Sequence, residues 1–187
     1  MDFTTIFTSF PVIEGQKLRL RQLRAEDASA LLDYYSNENV YRYLDWHGPE
    51  TLEESYKVIE FWNKGYHDGW LIRFAIADKE TDKIIGTIFL TEIEDVRAEI
   101  GYELSENYWR RGMMSEALQE VLALGFNQLG LVRIQAFVSD ENTGSKEMLK
   151  KFNFKEEGYL RQYECHSVTN ECRDMWVYSL LRSEFQK

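Results

Sequence analysis

Residues 99 to 126 read EIGYELSENYWRRGMMSEALQEVLALGF, and this stretch decides the fold. Its pattern predicts a short strand, then a basic turn that contains a glycine, then a long helix with one broad apolar face. The first turn of a helix carries backbone N–H groups without intrahelical acceptors and the positive end of the helix dipole. A basic turn at that point is typical of a site for a phosphate-bearing ligand. We therefore expect the turn to hold the pyrophosphate of a cofactor, and the strand before it to face the chemistry.

The sequence on both sides of this stretch predicts the rest of a sheet. Including the opening strand, the predicted strands are residues 17–23, 70–77, 83–92, 97–104, 133–138, 154–163 and 171–180. Thr51 and Glu54 form a capping-box signature for a helix that ends near Tyr66. The predicted order is β-α-α-β-β-β-α-β-α-β-β, with a parallel crossover between the fourth and fifth strands. This order indicates an α+β fold with a mixed, mostly antiparallel, seven-stranded sheet and helices on both faces.

Length and composition limit the classes of function. A chain of 187 residues with 44% hydrophobic residues predicts a single domain, 1–187, with a real core. The net charge of -10, from 22 basic and 32 acidic residues, argues against a nucleic-acid partner. It suits a cationic substrate, although an acidic surface can also serve solubility alone. The sequence shows no membrane span, no secretory signal and only two cysteines, which favours a cytoplasmic protein without a disulfide framework.

Four blocks of sequence carry a resemblance to a known family. They are AEIGYEL (98–104), YWRRGMMSEAL (108–118), NTGSKEMLKKFNFKEEG (142–158) and DMWVYSLL (174–181). Together with the predicted order of elements, they resemble the GCN5-related N-acetyltransferase family (GNAT). The likeness is greater to its RimJ/RimL type of protein N-terminal acetyltransferase. The resemblance implies the GNAT fold and transfer of an acetyl group from acetyl-CoA to an amine, without a metal.

The resemblance also implies how acetyl-CoA would be held. The family's pyrophosphate loop, Q/R-x-x-G-x-G/A, aligns with residues 109–114, where Gly112 matches and Trp109 and Met114 depart from the pattern. By resemblance the cofactor-binding residues of the loop are Arg110, Arg111, Gly112, Met113, Met114 and Ser115. In the family, the strand before the loop parts from the next strand, and the pantetheine arm lies in the gap. The residues expected to contact it are Tyr102, Glu103 and Leu104.

Two residues are candidates for catalysis. By resemblance Glu99 lies near the family's catalytic glutamate and would take the ammonium proton directly or through water. Its ordinary role would be a solvent-facing carboxylate paired with Arg97 or another neighbour. Asn142 is a good N-cap and, in the family, also binds the cofactor. Ser145 would hydrogen-bond the departing sulfur, as in the RimL type, or simply solvate the first helical turn. Many GNAT enzymes place a tyrosine later in this helix, where this chain has Leu149.

Aromatic, histidine and cysteine side chains complete the candidates. Tyr43, Trp46, Tyr66 and Trp70 align with the family's acceptor pocket, although each alone is better explained by packing. The histidines and cysteines have no spacing that predicts a metal site. Cys165 and Cys172 flank a predicted hairpin and would face each other. We expect reduced thiols in a cytosol, with a regulatory disulfide as the alternative.

The sequence thus predicts an acetyl-CoA-dependent N-acetyltransferase with direct transfer to a primary amine. A protein or peptide N-terminus is the first acceptor. A small amine, such as a polyamine, an amino sugar or an amino acid, is the alternative within the same chemistry. A non-catalytic acyl-CoA-binding module is the alternative from another class. A P-loop nucleotide binder is disfavoured, because the chain lacks G-x-x-x-x-G-K-[ST]. We expect no membrane partner, and a monomer or a homodimer.

Overall fold

A sheet of eight strands organises residues 4–185, the part of the chain that the computed structural model describes. The predicted domain, 1–187, also includes residues 1–3 and 186–187, which lie outside this description. The helices are α1 (Thr4–Thr8), α2 (Ala28–Tyr35), α3 (Glu38–Tyr41), α4 (Leu52–His67), α5 (Met113–Ala123) and α6 (Thr143–Lys151). The strands are β1 (Ile13–Glu14), β2 (Leu18–Gln22), β3 (Leu71–Asp78), β4 (Ile84–Glu94), β5 (Arg97–Leu104), β6 (Arg133–Ser139), β7 (Lys155–Cys165) and β8 (Cys172–Leu181).

The strand order across the sheet is β1-β2-β3-β4-β5-β6-β8-β7. Strands β5 and β6 pair in parallel, and every other neighbouring pair is antiparallel. This topology confirms the predicted succession of the three strands β3, β4 and β5, and the predicted parallel crossover from β5 to β6. The α+β class and the mostly antiparallel sheet are confirmed with it.

The predicted count of seven strands is wrong by one short edge strand. Strand β1 has two residues, with Ile13 opposite Leu20 and Glu14 opposite Arg19. Two residues cannot display a period of two, so the pattern gave no signal. Asn37 caps the single turn of α3, because its side chain accepts the N–H of Asn39.

Helix α4 begins where the sequence predicts. The hydroxyl of Thr51 accepts the backbone N–H of Glu54 at 3.2 Å, which satisfies one of the free donors of the first turn. Across residues 4–185, no helix is both long and apolar enough to cross a membrane.

Two hydrophobic clusters cover the two faces of the sheet. The larger one joins the sheet to α5, and the smaller one joins it to α2 and α4. Alternation along β5 sends Ala98, Ile100 and Leu104 into the larger cluster. The intervening residues Glu99 and Glu103 therefore face the side of α2 and α4. One strand thus supplies side chains to both faces of the sheet.

Candidate active site

Strands β5 and β6 separate in the middle of the sheet. Their parallel pairing covers only residues 97–99 and 133–135, and the last pair is Glu99 with Gln135. Beyond this point residues 100–104 of β5 remain paired with β4 on their other edge. The free edge of β5 therefore lines a gap, where backbone N–H and C=O groups can pair with an extended ligand.

The turn before α5 presents its backbone at one end of this gap. Arg110 and Gly112 have positive φ values of 60° and 79°, and Gly112 is the N-cap residue of α5. Left-handed geometry suits glycine at position 112. Lys17 Nζ donates to the carbonyl of Arg111 at 3.0 Å, and the Glu116 carboxylate accepts the N–H of Lys17 at 3.0 Å. These contacts fix the turn against the start of β2.

The two departures from the family loop pattern have structural explanations. Met114 is only 7% exposed and packs in the larger cluster, so its side chain faces away from the turn surface. Met113 is buried in the same way. The indole of Trp109 donates to the carbonyl of Leu104 at 2.7 Å and so ties the turn to the end of β5. Both irregular residues therefore support the turn without covering its backbone.

Glu99 lies at the point where β5 and β6 separate, and the pKa of its carboxyl is raised. Burial raises the pKa of the Glu99 carboxyl to about 7, and the negative charges of Glu164, Glu92 and Asp45 raise it further in the same direction. The expected pairing with Arg97 does not form, because Arg97 Nη2 binds Glu94 at 2.6 Å. A partly buried carboxylate with a pKa near neutrality can act as a general base.

Glu103 lies four positions after Glu99 on the same face of β5, and its carboxylate is surrounded by hydrogen-bond and ion-pair partners. Thr87 Oγ1 donates to its carboxylate, Tyr34 Oη donates at 3.3 Å, and Arg73 lies 3.5 Å away. The Arg73 guanidinium lies between the rings of Trp62 and Phe89, at 4.1 and 3.8 Å. The Glu103 side chain thus points away from the larger cluster, and a pantetheine contact at this position would involve its backbone.

The start of α6 brings two hydroxyl groups together. Asn142 Oδ1 accepts the N–H of Ser145 at 3.1 Å, which confirms Asn142 as the N-cap. Ser145 Oγ lies 2.8 Å from the phenol oxygen of Tyr102 on β5. Burial raises the pKa of Tyr102 to about 12. Leu149 is fully buried, so the family's tyrosine position holds an apolar side chain.

The hairpin of β7 and β8 closes the other side of Glu99. Its tip contacts the segment before α4, since the N–H of Ser167 donates to the carbonyl of Asp45 at 2.7 Å. Cys165 and Cys172 face each other across the hairpin, as expected, but they form a disulfide, so the expectation of reduced thiols is wrong for this structure. Directly opposed strand positions bring the two Cβ atoms close enough for this bond.

The four aromatic residues predicted to line the acceptor pocket have different surroundings in the structure. Trp46 packs against Tyr35 and Trp62 in the smaller cluster, next to Asp45. Tyr66 is a core residue whose phenol donates to the carbonyl of Ile6 at 2.6 Å, and Trp70 packs against Phe61 with the two rings tilted by 55°. Tyr43 lies beside the Arg42 guanidinium. The packing explanation therefore holds for Tyr66, and of the four candidates only Trp46 is adjacent in sequence to a carboxylate near Glu99, that of Asp45.

Sequence reasoning missed the carboxylates around Glu99. Glu164 is partly buried, and burial followed by the charge of Asp45 raises its pKa. A bulge between Leu160 and Glu164, with Gln162 at φ 47°, changes which residues of β7 face the site. Simple alternation along β7 therefore gave no signal for Glu164. Asp45 lies in an irregular segment, which also carries no periodic signal.

The turn before α5 has an open, positively charged surface that suits an anionic group. Gly112 leaves the turn open, since a Cβ there would meet only Lys17 Nζ within 4 Å, at 3.5 Å. The exposed Arg110 and Arg111 and the Lys151 ammonium, 3.1 Å from Ser115 Oγ, add positive charge around the helix start. The gap beyond Glu99 leaves one edge of the β5 backbone without a strand partner.

A family profile described as "Acetyltransferase (GNAT) domain" matches residues 17–155. The chain belongs to the GNAT family. It is an N-acetyltransferase, and acetyl-CoA is the acetyl donor of this family. No group of three or more potential metal ligands occurs within the described residues.

Individual GNAT relatives agree with this assignment. "Uncharacterized N-acetyltransferase p20" of Bacillus licheniformis is 38% identical over 91% of this chain and 96% of its own length. Spermidine N(1)-acetyltransferase of Escherichia coli is 29% identical over 78% of this chain and 77% of that enzyme. The [ribosomal protein uS5]-alanine N-acetyltransferase of Escherichia coli is 26% identical over 79% of each chain. A GNAT acetyltransferase structure from Bacillus anthracis superposes with a TM-score of 0.80, at 27% identity, over 93% of this chain and 100% of that one.

Proposed function

We propose that this GNAT enzyme acetylates the N-terminal α-amine of a protein or peptide. The observation that carries the proposal is Glu99, whose carboxyl has a pKa of about 7 at the gap between β5 and β6. An α-ammonium group has a pKa of about 7.7 to 8.0, whereas a lysine-like alkylammonium has one of about 10.4. Proton transfer from an α-ammonium to Glu99 is therefore nearly balanced, and from an alkylammonium it is strongly uphill.

The donor acetyl-CoA would be held on the opposite face of β5. Backbone N–H groups of residues 110–115, with the Arg110 and Arg111 side chains, suit the pyrophosphate. The free edge of residues 102–104 suits the pantetheine amides. Asn142 and Ser145 at the start of α6 would complete this side. These assignments combine the family resemblance with the geometry of the turn and the gap.

The transfer itself would be direct, from thioester to amine. Glu99 accepts one proton from the ammonium, and the neutral nitrogen then attacks the acetyl carbonyl carbon. The C–N bond forms and the C–S bond breaks, with its electron pair going to sulfur. The nitrogen loses its second proton in this step. This proton passes to the departing sulfur, so that CoA leaves as a thiol, while the first proton stays on Glu99 until solvent removes it. Ser145 would donate a hydrogen bond to the sulfur as its charge develops.

The test compares peptides that have a free N-terminus with the same peptides whose N-terminus is blocked by acetylation. Peptides with a free N-terminus are incubated with enzyme and acetyl-CoA, and the released CoA thiol is measured. The same peptides with an acetylated N-terminus and an intact lysine serve as controls. We expect release only with the free N-terminus. Equal release from the blocked lysine peptides would contradict an α-amine acceptor.

A polyamine is the second candidate, and the cluster of Glu99, Glu164, Glu92 and Asp45 favours it. Carboxylates at this site would attract a second ammonium group of the acceptor. Spermidine therefore belongs in the same assay. If kcat/KM is higher for spermidine than for every peptide with a free N-terminus, a polyamine replaces the protein N-terminus as the proposed acceptor.

A further inference from the structure

The pair formed by Tyr102 and Ser145 lies at the gap that the proposed transfer would use. Tyr102 comes from β5, past the last residue that pairs with β6, and Ser145 comes from the first turn of α6. Their oxygens are 2.8 Å apart. The pair therefore joins the two elements that border the gap, on the face where α5 and α6 lie.

Each member of the pair is fixed independently. The Ser145 backbone is held by the Asn142 side chain at 3.1 Å, so its hydroxyl can rotate but cannot move away. Tyr102 packs against the larger cluster and stands opposite Ile88 of β4. The nearest charged group in sequence, Lys146, is engaged by Asp140 at 2.6 Å. The two hydroxyls therefore have defined positions, and the neighbouring Lys146 ammonium is paired with Asp140.

The direction of the hydrogen bond follows from acidity. A phenol is a better donor than an aliphatic hydroxyl, and burial holds the Tyr102 phenol neutral, with a pKa of about 12. The 2.8 Å separation fits either direction, and the greater donor strength of the phenol favours Tyr102 as the donor and Ser145 Oγ as the acceptor. The Ser145 proton is then free to point into the gap, because its oxygen already accepts from Tyr102. A hydroxyl that accepts one hydrogen bond is a stronger donor in the next one.

We propose that Tyr102 is the positioning residue that aims the Ser145 hydroxyl at the thioester sulfur. This inference rests on the acetyl transfer proposed above. It assigns to a strand tyrosine, acting through Ser145, the support for the leaving sulfur that Leu149 cannot give from α6. Ser145 donates to the sulfur, and Tyr102 keeps its own proton throughout the reaction.

A binding experiment tests this without any acceptor amine. Affinities of CoA and of desulfo-CoA are measured by calorimetry from about pH 6 to 10, around the usual thiol pKa of about 8.5. In the wild-type enzyme we expect CoA to gain about tenfold over desulfo-CoA as its thiol ionises, since a charge-assisted hydrogen bond stabilises the thiolate. Tyr102→Phe and Ser145→Ala should each remove most of this gain while leaving desulfo-CoA affinity unchanged.

Turnover and a matched control complete the test. Tyr102→Phe should lower kcat about tenfold with little change in the KM for acetyl-CoA, and the double variant should lose no more than Ser145→Ala alone. Tyr178→Phe is the control, because Tyr178 is a buried phenol with a pKa near 12 that binds Glu156 at 2.8 Å. It should behave as wild type in both assays.

Three results would overturn the inference. One is a Tyr102→Phe enzyme that keeps the CoA preference while Ser145→Ala loses it. Another is a purely additive loss in the double variant, which would make the hydroxyls independent. The third is a parallel loss of desulfo-CoA affinity, which would make Tyr102 a packing residue. Because the binding arm uses no amine, it can succeed even if the proposed acceptor is wrong.

Discussion

Glu99 and Glu103 lie on the same face of the same strand and differ in nearly everything else. Glu103 is 5% exposed and is surrounded by a guanidinium, a phenol and a hydroxyl. Glu99 has three carboxylates as its electrostatic neighbours and a pKa of about 7. On this one strand, Glu103 is thus a buried ion-pair partner and Glu99 is a candidate base.

The difference shows that neighbours, more than burial, separate these roles. Burying a carboxylate costs free energy unless a positive or hydrogen-bonding partner compensates it. Glu103 has such partners, so its charge is compatible with the core. Among the described residues Glu99 has no ion-pair partner, so it is poised to take up a proton. The comparison predicts that Glu103 substitutions reduce stability and that Glu99 substitutions reduce activity.

The largest expected effect is on the stability of a Glu103→Gln variant. It leaves the Arg73 guanidinium without its counter-charge between Trp62 and Phe89, which costs about 3 kcal/mol of unfolding free energy. Urea denaturation measures this. Glu99→Gln is the matched control on the same strand. The comparison fails if the two variants lose the same stability.

Glu99→Gln itself should lower kcat/KM about a hundredfold, because the ammonium loses its proton acceptor. In the wild type, kcat/KM should rise with pH to a plateau above about pH 7, where Glu99 is ionised. Its raised pKa also means that ionised Glu99 destabilises the folded state. That cost is absent below about pH 4.3, grows from there towards pH 7, and stays above it.

The stability gain of Glu99→Gln should therefore be largest at neutral and alkaline pH. Urea midpoints for the variant and the wild type at acid and neutral pH measure it. An unchanged rate, or a gain in stability seen only at acid pH, would remove Glu99 from the role of base.

A substitution in the proposed CoA-binding turn should weaken CoA binding without changing the surroundings of Glu99 or Glu103. Gly112→Val places a branched side chain at φ 79° in the turn before α5, and should weaken CoA binding about tenfold. Calorimetry with CoA measures this. Gly69→Val is the control, because Gly69 also has a positive φ, of 84°, with nothing near its Cβ position. Equal losses of CoA affinity in both variants would show that the pyrophosphate turn is misplaced.

The smallest expected effect concerns the charge beside Glu99. Glu164→Gln removes the neighbour whose charge raises the Glu99 pKa most, so the acid limb of the kcat/KM profile should move down by about half a pH unit. Glu94→Gln is the control, because Glu94 already pairs with Arg97. A limb that stays in place with Glu164→Gln would mean that burial alone sets the pKa of Glu99.

Most of the fold could be predicted because the signals were local. Strand β5 and the helix that follows it carry periodic patterns, and the observed β5, residues 97–104, matches the predicted range. Strand β1 was missed because Ile13 and Glu14 are too few to show a pattern. Helix α3 was missed because its four residues gave no periodic signal beyond the turn chemistry of Asn37.

Features of the site could be predicted only where they depend on residues of a single short segment. The N-cap role of Asn142 has a local signature and is confirmed, and Gly112 lies directly before α5, where its role toward the cofactor stays a prediction. The surroundings of Glu99 depend on a bulge in β7 and on the contact of the hairpin with Asp45, which join residues far apart in the chain. The partners of Glu103, from three other elements, were equally beyond a local pattern.

The alternation along β5 has a consequence for the order of events in a catalytic cycle. Glu99 projects to the side of α2 and α4, and Tyr102 projects to the side of α5 and α6. Each substrate would therefore have its own entrance, and the two would meet only across the edge of the strand. We expect random-order kinetics through a ternary complex, in which either product can leave while the other is still bound.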